Sequence, residues 1–159
     1  MRKFSVTLSS IMLVVVVVSG CANSQVEKAP MIIGEISQQQ LMTNHKFFQQ
    51  NYQASQLSAL EVAEINRWPK DLHVEVYFGS WCHDSVREVP RFLKILAQSP
   101  TLSNRLIALD YAKSEPSGSA KNHDIKYTPT FIVYQNDKEI GRIIERPKVS
   151  LTADISAML

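Results

Sequence analysis

The sequence predicts an α/β domain: a central mixed sheet flanked by helices, with a helical inset before the central strand. Three observations carry this. Strand-like segments alternate with segments of helical spacing from residue 31 onward. The stretch "LHVEVYFGSW" (72–81) is rich in β-branched and aromatic residues and runs directly into a helical stripe. Two apolar runs within 128–145 lie either side of Gln-Asn-Asp-Lys, the signature of a hairpin. A chain of 159 residues can hold one such domain with a real core.

The elements follow in order. "MIIGEIS" (31–37) suits a first short strand. Residues 38–50 carry Leu41, Met42, Phe47 and Phe48 among glutamines and suit a helix. Apolar residues at 57, 60, 62, 65 and 68 predict a second helix, which Pro69 ends. These two helices make up the inset, 38–68. After the central strand, Val86, Val89, Phe92, Leu93, Leu96 and Ala97 form one stripe of a helix over 84–98, with Arg87, Glu88 and Arg91 on its polar face. Pro90 lies inside that stripe, where a kink is expected.

"NRLIALDYA" (104–112) reads as a second buried strand, 113–120 as a polar loop and 121–125 as a helical turn. Ser150 or Thr152 suits the cap of a closing helix with Leu151, Ile155, Met158 and Leu159 on one face. The alternation implies a parallel centre with helices on both faces, and the hairpin adds an antiparallel edge.

Residues 1–20 stand apart from this domain. Arg2 and Lys3 precede an apolar run of signal-peptide length that ends in small residues. Its end, "VSGC" (Val18 to Cys21), resembles the lipobox of bacterial lipoproteins. That resemblance implies a signal peptide over 1–20, lipidation of Cys21 and a tether over 21–30, leaving a domain over 31–159. It further implies a lipid-anchored, periplasm-facing protein of the bacterial envelope. Ala22 after the cysteine favours the outer membrane over the inner by the same analogy. Acyl chains on Cys21 would make the membrane a partner.

Charge excludes other partners. The formal net charge is +2, and it belongs to Arg2 and Lys3 of the leader. The remainder is formally neutral with no Lys/Arg cluster, so nucleic acid is not expected. His45, His73 and His123 are scattered without ligand spacing, and Cys82 with His83 offers too few ligands, so no metal or other cofactor is expected. The chain has two cysteines. With Cys21 lipidated, Cys82 is the one free thiol, and no internal disulfide can form.

The residues around that thiol form a pattern with the segment before the hairpin. A hydrophobic strand runs into Trp81-Cys82 at a helix start, Pro90 follows inside the helix, and "TPT" (128–130) precedes the hairpin. "GSWCHDSVREVPRFLKIL" is similar to thioredoxin-like proteins with a WCxDS site. The resemblance covers about residues 72–159 and implies a cis Pro129 lying against the sulfur, with the backbone of Thr128 facing an extended substrate. It also implies that Trp81 covers one side of Cys82 and that His83 borders it. Two departures matter. Ser85 stands where thioredoxins carry the resolving cysteine. Val76 stands where they carry a buried acid, and Glu75 beside it points to the opposite face of the strand.

The chemistry left to such a site is specific. Unsatisfied N–H groups and the dipole at a helix start favour a thiolate at Cys82. Ser85, one turn on, is placed to donate an O–H to the sulfur. A single thiolate attacks a disulfide and forms a mixed disulfide, but an external thiol must release it. The expected partners are therefore protein or small-molecule disulfides and thiols, with an external thiol reductant. The resulting expectation is monothiol thiol-disulfide exchange through Cys82. The alternative is a non-catalytic thioredoxin-fold lipoprotein whose groove binds a partner. A one-cysteine peroxidase is disfavoured, because Gly79 takes the place three residues before the cysteine where Thr or Ser is usual.

Overall fold

A computed structural model describes residues 30–159. The leader expected over 1–20, the lipidation expected at Cys21 and almost all of the tether expected over 21–30 lie outside the described residues.

Five strands form one sheet in the order β1-β3-β2-β4-β5. The central strand β2 (Leu72–Phe78) pairs parallel with β3 (Ser103–Ala108), with Val76 opposite Leu106. On its other side β2 runs antiparallel to β4 (Thr130–Gln135), with Val76 opposite Phe131. β4 turns back into β5 (Lys138–Ile144). The short β1 (Gly34–Glu35) lies antiparallel to β3 at the other edge. The expected parallel centre is thus one parallel pair, because the hairpin adds β4 directly beside β2. The hairpin forms through Asn136 and Asp137, both at positive φ (51° and 60°), the turn geometry that matches the twist of paired strands.

The inset contains three helices where the spacing predicts two. α1 (Gln38–Asn44) stops at His45, which is extended, and α2 (Lys46–Ala54) begins at once. α3 (Ala59–Ile65) follows. Capping boxes set two of these starts: Ser37 with Gln40 at α1, and Ser58 with Glu61 at α3. The main helix α4 (His83–Gln98) continues past Pro90. α5 (Ser119–Asn122) is a single turn, and α6 (Leu151–Ser156) closes the chain with Ser150 as its cap.

Strand alternation divides the core in two. Val74, Val76, Phe78, Leu106, Phe131 and Val133 face α4, α6 and the inset in one large cluster. Phe92 of α4 meets Phe131, and Phe48 of α2 meets Phe78, with ring centroids 5.6 and 5.7 Å apart. The other face carries Tyr77, Ile107, Leu109 and Ile132 under α5 and Ile125. Helices flank the sheet on both faces as expected, α4, α6 and the inset on one and the short α5 on the other. The inset packs beside α4 and α6 instead of covering the second face.

On that second face a polar network joins the sheet to the short α5. Buried Glu75 accepts from Tyr77 Oη at 2.7 Å and from Arg105 Nη1 at 2.7 Å. Tyr77 Oη also meets Ser119 Oγ at 2.7 Å and His123 Nδ1 at 3.0 Å. Burial pushes the Glu75 carboxyl up, but the bonds from Tyr77 and Arg105 outweigh it and hold the group below the ordinary range. Val76 points the other way, into the large core, as alternation requires.

Candidate functional site

The site forms where β2 ends. Gly79, Ser80 and Trp81 turn the chain, and Cys82 N–H donates to Gly79 O at 3.0 Å. Cys82 is the N-cap of α4, with extended backbone, and its carbonyl accepts from Val86 N–H at 3.0 Å. Gly79 is required here. A Cβ on it would lie 2.7 Å from the Trp81 ring, closer than any real contact. The ring is held over this turn by a bond from Trp81 Nε1 to Leu109 O at 3.0 Å. Tyr111 stacks on it at 4.6 Å between centroids, and Lys113 Nζ lies 4.3 Å from its centre.

The sulfur meets the loop before β4. Cys82 is half-buried and is the free cysteine among the described residues. Its thiol donates to Thr128 O at 3.0 Å. The Thr128–Pro129 bond is cis. Thr130 Oγ1 donates to Tyr127 O at 2.8 Å, and Glu145 N–H donates to Pro129 O at 2.7 Å, so both ends of the loop are fixed.

Ser85 departs from the role the sequence gives it. It is fully buried beneath the turn, and its Oγ accepts from Gly79 N–H at 3.2 Å. It makes no bond to the sulfur among the described residues. It stands one turn along α4 as expected, but its hydroxyl is drawn to an otherwise unpaired backbone donor. Nor does any side chain cap α4 at Cys82. His83 projects into solvent with its side chain 89% exposed.

Asp84 is held by two arginines. Its Oδ1 lies 2.7 Å from Arg87 Nη1 and 3.1 Å from Arg146 Nη2. Burial raises its carboxyl, but the bonds from Arg146 and Arg87 outweigh this and keep it below the ordinary range. The carboxylate opposes a thiolate less when two guanidinium charges answer it. The polar face expected for Arg87, Glu88 and Arg91 is also corrected. Glu88 is buried, with Arg87 Nε at 2.6 Å and Arg91 Nη1 at 3.0 Å.

Cys82, Trp81, Ser85, Thr128 and Pro129 are thus gathered, and His83 borders them from solvent. Sequence reasoning missed Tyr111, Lys113 and Arg146, which reach the site from loops with no helical or strand period to mark them.

A family model described as thioredoxin matches residues 34–154. The chain belongs to this thioredoxin family. Among solved structures it is similar to PA1234 of Pseudomonas aeruginosa, a protein of unknown function. Identity is 17%, the match covers 76% of this chain and 70% of that one, and the TM-score is 0.51. An HIV epitope-scaffold is similar at 18% identity, covering 75% and 72% of the two chains, with a TM-score of 0.51. The thioredoxin of Fasciola hepatica is matched over 50% of this chain and 73% of its own, at 21% identity and a TM-score of 0.40. The first two likenesses, to PA1234 and the epitope-scaffold, speak to the fold. No curated protein matches the chain.

Proposed function

We propose that this thioredoxin-family protein carries out monothiol thiol-disulfide exchange through Cys82. The observation that supports it most is the seat of the thiol: at the start of α4, half-buried, 3.0 Å from Thr128 O beside the cis Thr128–Pro129 bond. The thiol gives its proton to water and attacks a disulfide sulfur. A Cys82–substrate disulfide forms, and the other half leaves as a thiolate that takes up a proton. An external thiol then attacks the mixed disulfide, regenerates Cys82 and carries away the substrate as a new disulfide. Ser85 cannot perform that second step, so the outside thiol sets the turnover.

The neighbours have roles in this reading. Thr128 and Pro129 present backbone to an extended substrate, Trp81 covers one side of the sulfur, and His83 meets the substrate from solvent. Ser85 holds the Gly79 turn and so positions Cys82. The substrates are disulfides and thiols of proteins or small molecules.

We further propose that the protein is a lipoprotein anchored through Cys21, facing the periplasm from the outer membrane. Cys21→Ser would then abolish acyl labelling and membrane retention, and unchanged labelling would refute the anchor.

The exchange reading is tested by trapping partners from envelope extracts. Wild-type protein should capture disulfide-linked partners that Cys82→Ala does not. Identical capture by both would favour a binding protein without exchange chemistry.

A further inference from the structure

A cavity of about 420 Å³ lies between the helical inset and the helices of the core. That volume is in the range of small-molecule sites. Ser55 and Leu57 wall it from the inset, Arg87, Arg91 and Lys94 from α4, and Thr152 from α6. It is separate from the Cys82–Thr128 contact, neither residue of which lines it.

Two observations assign it a ligand. Arg87 Nη2 and Thr152 Oγ1 are the buried side-chain polar atoms without a hydrogen-bond partner among the described residues, and both belong to residues of this one cavity. An unsatisfied buried polar group costs roughly 1–3 kcal/mol, so two at one place mark polar demand that the protein alone does not meet.

Charge gives the sign. Three cations and two carboxylates, Glu61 and Glu88, line the cavity. Glu88 is engaged by Arg87 and Arg91, and Glu61 turns to Ser58 at the start of α3. Lys94 has no carboxylate within ion-pair distance among the described residues and rests over the Tyr52 ring at 4.0 Å. One positive charge is left over, which suits a monoanion better than a dianion beside Glu88. Planar guanidinium groups fit a carboxylate. Leu57, Ile95 and Leu151 supply an apolar wall.

We propose that this cavity binds a small monocarboxylate with a short apolar chain. The inset then closes one side of a ligand site that the core helices begin.

Titration of the folded, isotope-labelled protein with sodium butyrate, at constant ionic strength, tests this by nuclear magnetic resonance. Butyrate should shift the Arg87 and Arg91 side-chain signals and the Thr152 amide saturably. n-Butylammonium should not, and inorganic phosphate should bind more weakly. Lys94→Met should weaken butyrate roughly fivefold or more, the loss of one charged contact. Thr152→Val, nearly the same shape, removes the unpartnered hydroxyl, so it should raise the melting temperature of the free protein yet reduce the butyrate-induced rise. Shifts that do not saturate, equal shifts from n-butylammonium, or tighter binding of phosphate would each overturn the assignment. Wild-type butyrate affinity in both variants would overturn it too.

Discussion

The Cys82 sulfur and the Thr128 carbonyl oxygen, 46 residues apart in the chain, lie 3.0 Å from each other. The contact joins the start of α4 to the loop before β4. A carbonyl only accepts, so the bond engages the thiol and not the thiolate. Replacing the proton-bearing sulfur by a hydroxyl keeps the bond and removes the chemistry. Cys82→Ser should therefore fold with nearly unchanged melting temperature, yet form no mixed disulfide by mass spectrometry.

Ser85→Cys places a second thiol one turn along α4. Its sulfur accepts the Gly79 N–H less well, so stability should fall by about 1 kcal/mol. In return an internal thiol stands ready to attack an adduct on Cys82. The variant should lose its adducts without added thiol and acquire disulfide reductase activity. Adducts as long-lived as those of the wild type would show that the buried position keeps the new thiol out of reach.

Gly79→Ala tests how tightly the turn is built. The new Cβ would collide with the Trp81 ring. The indole must leave its bond to Leu109 O and its stack on Tyr111. Trp81 fluorescence should shift toward that of an exposed indole, and the rate of adduct formation at Cys82 should change with it.

Glu75 predicts a pH dependence of stability. Its carboxyl titrates lower in the folded chain than the ordinary value of 4.5. The folded state thus gains from its charge above pH 4.5 and loses that gain as pH falls through the lowered folded value. Glu75→Gln should cost about 1–3 kcal/mol at neutral pH, because Arg105 and Tyr77 keep weaker partners. Thermal melts below pH 4.5 should show the variant less sensitive to acid than the wild type.

The legible parts of this molecule were those with a period or a local motif. The β2 run into Trp81-Cys82, the α4 stripe and the hairpin after Thr128-Pro129-Thr130 all carry short-range signals, and each stands close to its expected place. The break at His45 was hidden, because Leu41 and Phe48 keep helical spacing across it while one extended residue redirects the chain. The direction of β4 was also hidden, since pairing between distant strands leaves no local pattern. At the site, the position of Ser85 was legible but its partner was not. A hydroxyl chooses among nearby donors and acceptors, and here it takes the Gly79 N–H instead of the sulfur. The same holds for Asp84, whose second partner Arg146 comes from the far end of the chain.

Mass spectrometry of the folded protein after exposure to a small disulfide tests the central claim most directly. The account predicts a single mixed disulfide, mapped to Cys82, that persists until an external thiol is added and then disappears to give the free thiol. Absence of an adduct on the folded protein, while the unfolded chain reacts at Cys82, would contradict it.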